Sequence, residues 1–443
     1  MNRPTSQNHL QSAVPYSGYH QHLPTTPDLY LCQVGRGTPG GEYLRRFWHP
    51  VAYESELGRV PLRVRALGED LVVFKDKSGR VGVLFLACCH RNTSLEYGII
   101  EERGLRCCYH GRLFDVDGTI LDMPGDPAAD RLKASVSQGA YPVHVFGGIV
   151  FVYMGPPESK PVFPMYDRFS LPNIKLVPGV RLKLDCNWIQ LKENTLDPAH
   201  TAVLHVIPQL RGMEHFAGEF GAQPNLIWTE TPGGLIYLAA RRVGDFVWVR
   251  SAETLGATIH CISSIFESGQ SPKRATPPFI TFWTLPVDDD KSINFFVSHV
   301  AEDEAMPFEE RRRLEIFGQY EDRPYAERQW IPGDHDAMVS QGPINVHAAE
   351  YLGPLDRGVV MFRRFVRRGI EAVERGENPI GFYLSQADVP PTFANDYVAR
   401  ASDIGGNPDD PEALRAFSKK IAEQYLREPP MRDLAASCAP PPG

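Results

Sequence analysis

Two short runs, Cys88-Cys89-His90-Arg91 and Cys107-Cys108-Tyr109-His110-Gly111, each bring a thiol and an imidazole together. Read as C-x-H, sixteen residues, C-x-x-H, they offer two thiolates and two imidazoles from separate segments. That donor set is the one taken by a [2Fe–2S] cluster in which two His replace two Cys on one iron. Thiolates are anionic and imidazoles neutral, so the His-bound iron keeps less negative charge and accepts an electron more readily. Zinc also takes Cys2His2, but zinc fingers group both Cys on one side and both His on the other. Here each segment supplies one of each, which favours the cluster. Only Cys88 makes C-x-H with His90, and Cys107 then pairs with His110, leaving Cys89 and Cys108 spare. Cys108-x-His110 is the competing assignment. A cluster of this kind hands electrons on, so the chain should contain, or meet, an acceptor.

A second group of candidate ligands lies on Trp188-Ile189-Gln190-Leu191-Lys192-Glu193-Asn194-Thr195-Leu196-Asp197-Pro198-Ala199-His200 and continues to His205. Apolar residues at 188, 191, 195/196, 199 and 203 recur at helical spacing, so one face is buried. Asn194, Asp197 and His200 are spaced by three and share a face. His200 and His205 would stand about 140° apart on an ideal helix. Pro198 removes a backbone donor and should break the helix between them, letting both rings turn to one metal. So many polar groups on a buried helix are costly unless something compensates them. Two His and one carboxylate with open positions form the facial triad of non-haem Fe(II) enzymes that use dioxygen. The carboxylate must come from elsewhere, and Asp334 and Asp336, just before Ser340-Gln341-Gly342-Pro343-Ile344, are equal candidates on the residues alone.

The elements that position these groups read as β-rich around the cysteines. Leu71 to Leu86 and Leu113 to Leu121 are strand-like, with Lys77-Ser78-Gly79 and Asp117-Gly118 as hairpin turns. Leu235 to Val243 and Phe246 to Arg250, around Gly244-Asp245, predict a hairpin of a second sheet, and Phe279 to Trp283 and Ile293 to Val297 predict further strands. Glu412 to Leu426 reads as an outer helix. Gly35-Arg36-Gly37-Thr38-Pro39-Gly40 is a literal G-x-G-x-x-G, but the helix after it is cut short by Trp48-His49-Pro50, so a Gly/Pro turn is the better account. The chain should therefore take its electrons from another protein rather than bind NADH or flavin.

At 443 residues the chain can form about two or three domains with a substantial core. A net charge of −8 without a dense Lys/Arg stripe argues against a nucleic-acid partner. No apolar run approaches a membrane span, and no signal peptide is expected. Four of the eight cysteines lie in the two loops and the rest are scattered, which suits a reducing cytoplasm. Met1 to Asp28 is polar and expected to be disordered or loosely draped.

From Leu29 to Glu428 the chain resembles the oxygenase α subunits of the Rieske non-haem iron oxygenases, and is most similar to the branch containing phthalate dioxygenase and the aryl O-demethylases. The resemblance is carried by Arg45-Arg46-Phe47-Trp48-His49-Pro50, the two Cys/His loops, Glu193 through His205, and Ser340 to Ile344. It implies that Cys88, His90, Cys107 and His110 hold the [2Fe–2S] cluster and that His200 and His205 hold a mononuclear Fe(II). It places the third iron ligand at Asp334, eight residues before Gly342. Asp197 matches the acid that hydrogen-bonds an iron-ligand His in one subunit and a cluster His in its neighbour. The implied active unit is a trimer or a multiple of three.

The fold expected is α+β, with a β-rich Rieske module over 45–160 and a helix-grip catalytic domain over 161–430, an antiparallel sheet around a long helix. Residues 1–44 would be a polar segment with a short helix, and 431–443 a tail. Asn194 and Asp197 are the candidate catalytic side chains beside the ligands, and Arg211, Arg241 and Arg242 are candidates for holding an aromatic acid. A separate NAD(P)H-dependent reductase, with or without a ferredoxin, would supply the electrons. The product would be a hydroxylated or cis-diol ring, or a demethylated aryl ether. The competing class is an electron carrier whose second domain only binds partners.

Overall fold

The structure, a computed structural model, describes residues 15–211, 221–263, 271–302 and 323–437. The start of the segment expected to be disordered, 1–14, lies outside them. The first sheet pairs β1 (Trp48–Tyr53) and β10 (Val143–Phe146) with β11 (Ile149–Tyr153) between them. All of β11 is buried, so its sequence is an unbroken apolar run rather than an alternation. A second sheet runs β2 (Leu62–Ala66), β3 (Glu69–Lys75), β4 (Val81–Phe85), β9 (Ala140–Tyr141). A third, of very short strands, runs β5 (Ile99–Ile100), β6 (Leu105–Arg106), β7 (Leu113–Phe114), β8 (Ile120–Asp122). The two turns expected at Lys77-Ser78-Gly79 and Asp117-Gly118 join β3 to β4 and β7 to β8.

The second half is built on an eight-stranded antiparallel sheet. It comprises β12 (Ile174–Leu184), β13 (Asn225–Thr231), β14 (Gly234–Val243), β15 (Phe246–Leu255), β16 (Ile259–Ser263), β17 (Pro278–Asp288), β18 (Lys291–Ala301) and β19 (Asp396–Arg400). The spatial order is β12-β18-β17-β16-β15-β14-β13, with β19 against the first half of β15. Phe282 pairs with both Phe296 and His260, and Asn294 with both Thr284 and Leu182. Directly paired residues share a face, so these side chains line one side of the sheet.

The helix Trp188–Thr195 packs on that side against β17 and β18. Asn187 caps it, its side chain accepting from Ile189 N at 3.1 Å. Behind it lies a helix not expected from the sequence, Arg357–Glu374, with a buried stripe of Val359, Phe362, Phe365, Val366 and Ile370. The helix–sheet grip is therefore two helices deep. Pro411–Arg427 covers β13 and β14 from outside, as expected of an outer helix. The tail expected over 431–443 is helical as far as Ser437, because Met431 is buried and anchors it.

The literal G-x-G-x-x-G is a turn into the six-residue helix Pro39–Leu44, capped by Thr38. Gly37 takes a left-handed φ of +80°, and a Cβ on Gly41 would meet Gly35 O at 1.9 Å. These glycines serve a tight turn.

One hydrophobic core runs through both halves: Trp48, Val51 and Phe151 share it with Trp283, Leu285 and Phe295. Tyr53 crosses between them, donating to Val180 O at 2.7 Å and accepting from Phe296 N at 3.1 Å. A smaller core holds Val72, Phe74, Leu84, Leu95, Leu105 and Phe114 together with Cys88 and Cys107.

Candidate active site

The two Cys/His loops are built alike. Asn92 N donates to Cys88 O at 2.9 Å and Gly111 N to Cys107 O at 3.1 Å, so each loop closes four residues after its cysteine. Asn92 and Gly111 both take left-handed φ, at 60° and 71°, the conformation that Gly and Asn tolerate best. Gln138 braces the first loop, accepting from Cys89 N at 2.7 Å and donating to Phe85 O and Ala87 O. The result sorts the four cysteines. Cys88 and Cys107 are buried, whereas Cys89 and Cys108 are exposed. The imidazoles of His90 and His110 are exposed, with ring centroids 4.6 Å apart. Backbone N–H groups of His90, Tyr109 and His110 point at the two buried sulfurs, and such bonds raise a cluster's potential. Two buried sulfurs beneath two outer imidazoles fit a cluster with one iron held by Cys and the other by His. Arg112 reaches the Cys89 thiol, so the residue after the second loop touches the exposed cysteine of the first.

The helix Trp188–Thr195 stops before Pro198, and His200 and His205 sit on two successive 3-10 turns, His200–Ala202 and Leu204–Val206. The break turns both rings to Asp334. His200 Nε2 is 3.2 Å from Asp334 Oδ1 and His205 Nε2 is 3.0 Å from Oδ2. Two donors at right angles on one metal, with bonds of about 2.1 Å, lie about 3.0 Å apart, so this spacing suits a facial set. Burial opposes ionisation of Asp334, yet the two imidazoles hold its carboxyl well below the usual range. Burial likewise opposes a charge on His200, but Asp197 and Asp334 push it up to about 10. The field is strongly cation-seeking.

Asp334 opens the helix Asp334–Val339, which Gln190 fastens to the iron-side helix by donating to Met338 O and Gly342 O, each at 3.0 Å. Gly342, at φ +97°, turns the chain there. Asp336, the rival on sequence, faces away, paired with Arg323 and Arg328 and accepting from Gly333 N at 3.1 Å. Asn194 Nδ2 donates to Asp334 Oδ1 at 3.2 Å. Asp197 Oδ2 is 3.6 Å from His200 Nδ1, and its Oδ1 accepts from Ala199 N at 3.1 Å. Glu193, on the helix's far side, is clamped by Arg363 of the long helix.

Between this cluster of groups and the sheet is a cavity of 130 Å³. Leu182, Leu191, Ile262, Phe282, Phe296 and Met338 make it largely apolar. None of the three arginines expected at the substrate lines it. Arg242 pairs outward with Asp409. Arg241 is buried but bonds Ala222 O and Thr201 Oγ1, both at 2.9 Å. Arg211 is exposed, its guanidinium 4.0 Å from the Trp330 ring centroid. Neighbours in a strand point to opposite faces, so 241 and 242 could not both serve one site. The polar side chains that do line the sheet wall are Tyr237, Arg250, His260 and Asn294. Sequence reasoning missed them. The available signal was polar residues in the phase of the apolar positions Ile262 and Phe296 on the same strands.

The Rieske [2Fe-2S] domain model matches residues 47–138, which span both Cys/His loops and end at Gln138. The chain is 38% identical to the tert-butanol monooxygenase / tert-amyl alcohol desaturase oxygenase subunit of Aquincola tertiaricarbonis, over 92% of this chain and 90% of that one. It is 36% identical to the phenoxybenzoate dioxygenase subunit alpha of Ectopseudomonas oleovorans, over 83% and 91%. The fold matches dicamba monooxygenase bound to dicamba with a TM-score of 0.56 at 20% identity, over 75% of this chain and 99% of that one. The cofactors are accordingly a Rieske [2Fe–2S] cluster and a mononuclear iron. With two Cys/His loops, a set of two His and one carboxylate, and relatives of this length and identity, the chain belongs to the oxygenase α subunits of the Rieske non-haem iron oxygenases.

Proposed function

We propose that the chain oxidises an aromatic acid or an aryl methyl ether, with dioxygen and electrons drawn from a separate NAD(P)H-dependent reductase, directly or through a ferredoxin. The observation that supports this reading best is a facial His200, His205, Asp334 set opening onto an apolar cavity, in a chain that also carries the cluster loops. When bound, the cluster supplies single electrons, and the iron supplies open positions for dioxygen chemistry. In this reading Cys88, Cys107, His90 and His110 hold the first, and His200, His205 and Asp334 the second. Asn194 fixes the Asp334 carboxylate, and Asp197 orients His200 from behind. Phe282, Phe296, Leu191 and Met338 exclude water around the reacting carbon. His90 and His110 are exposed, and Asp197 is part exposed, which suits a cytoplasmic ring of three copies, or a multiple, in which His110 of one meets Asp197 of the next. A ring target gives a hydroxylated or cis-diol product; a methoxy carbon gives a hemiacetal that loses formaldehyde.

A second reading, a small branched alcohol as substrate, is favoured by the relative that acts on tert-butanol. One screen separates the two: aromatic acids, aryl methyl ethers and tert-butanol with a surrogate reductase, scored for oxygen uptake, formaldehyde and product mass. Uptake coupled to product with the aromatics is expected; product from tert-butanol alone would replace the first reading with the second.

A further inference from the structure

The groups turned toward one another at the iron site come from distant parts of the chain: His205 and Asp334 are 129 residues apart. A ligand set must be held to within about 0.5 Å of its working geometry, so the segment bearing Asp334 needs its own fastening. Asp334 is the first residue of the six-residue helix Asp334–Val339, which is too short to be stable without tertiary contacts. Gln190 ties the far end of that helix, through Met338 O and Gly342 O. Asp336 ties the near end.

Its Oδ2 accepts from Gly333 N at 3.1 Å and from Arg323 Nη2 at 2.8 Å, and its Oδ1 accepts from Arg328 Nε. Arg323 also donates through Nη1 to Ile331 O at 2.9 Å. One guanidinium therefore spans the turn from three residues before Asp334 to two after it. The Arg323 and Asp336 side chains are only 9% and 13% exposed, so their charge-assisted hydrogen bonds are little weakened by water. Arg328 comes from the short helix Tyr325–Trp330, which has no buried residue. That helix adds nothing to the core; what it brings to the turn is charge. Its last residue, Trp330, has its ring centroid 4.0 Å from the guanidinium of Arg211, six residues beyond His205. The helix thus reaches from the segment after one iron-side His to the turn that carries the carboxylate.

We propose that Asp336, clasped by Arg323 and Arg328, is a positioning residue for Asp334: the clasp fixes the turn in the pose that the facial set requires, and so sets how tightly the metal is kept. The residue that rivals Asp334 in the sequence serves it in the fold. The inference rests on the reading of His200, His205 and Asp334 as the ligands.

The test uses the full chain with its cluster intact and the mononuclear metal removed by chelation, titrated with Co(II) and read by calorimetry and by the visible band of the bound ion. Asp336→Asn and Arg328→Gln should each weaken Co(II) binding by about 10–100-fold, the loss usual when a group that orients a metal ligand is removed. The band should keep its position, because the ligands are unchanged. The double variant should lose little more than the worse single one, since both remove the same contact. Affinities within about threefold of the unaltered chain, whatever the melting temperature does, would overturn the proposal, and so would additive losses. Tighter binding in Arg328→Gln would overturn it too, by making the freed Asp336 a ligand. Should Asp336→Asn lose its cluster absorbance, and so its fold, Arg328→Gln decides. Asp334→Asn separates the two levels. If it binds Co(II) as tightly as the unaltered chain, the ligand reading fails and takes the clasp with it; if it loses the metal while the clasp variants keep it, the clasp alone fails.

Discussion

Single atoms separate residues that the sequence leaves as near equals. Asp334 and Asp336 are two positions apart on one helix, and Asp336 is engaged by Arg323 and Arg328 whereas Asp334 meets the two imidazoles. No local pattern records that pairing. The cysteines are the opposite case: spacing favours Cys88 and Cys107 over Cys89 and Cys108, and the favoured pair is the buried one. Cys89→Ser and Cys108→Ser should therefore keep the visible absorbance of the cluster, while Cys88→Ser or Cys107→Ser should abolish it; loss of colour in either of the first pair would reassign the ligands. Asp197 is a sharper test of role. Asp197→Asn keeps the shape but removes the charge beside His200, so turnover should fall by about 10–100-fold or more. Iron and sulfide contents should stay unchanged. Full activity in that variant would remove Asp197 from the route between the metal sites.

At the scale of elements, helical spacing, hairpin turns and the break at Pro198 were legible because they are local. The hairpin of β14 and β15 and the outer helix Pro411–Arg427 both follow from pattern. The long helix Arg357–Glu374 was missed although its apolar stripe is regular, since its role is to back another helix rather than to carry chemistry. The iron-side helix shows what such a position costs. Lys192 is fully buried on it, donating to Ile259 O at 3.1 Å. Burial pushes its ammonium down from 10.5 to about 7. Between those values the unfolded chain binds the proton and the folded one does not, so stability rises with pH across that window and is lost as pH falls toward 7. Lys192→Met should flatten this slope and raise the melting temperature at pH 7 by a few degrees, measured by calorimetry on the holoprotein. An unchanged slope would mean that the amine stays charged.

For the whole molecule, the assembly can be read from composition and complementation. The chain as an oxygenase should contain about three irons and two acid-labile sulfides; an electron carrier should contain two irons, and a zinc protein no sulfide. If the two metal sites of neighbouring copies work together, mixing a Cys88→Ser chain with a His200→Ala chain should give activity that neither shows alone. Inactive mixtures, with both chains shown to co-assemble, would confine electron flow to a single copy.

The core common to both halves sets a rule for anyone wishing to exchange the electron-receiving module between relatives. The family match closes at residue 138, yet β11 is the middle strand of a sheet, and Phe151 and Tyr53 pack against Trp283 and Phe295. A graft cut at either limit, 138 or 160, would strand aromatic surface on both pieces. Chimaeras that keep Trp48–Tyr53 and Ile149–Tyr153 native, and trade only the loops and short strands around Cys88 and Cys107, respect the seam that the fold uses. What can be exchanged here is a cap, not a domain.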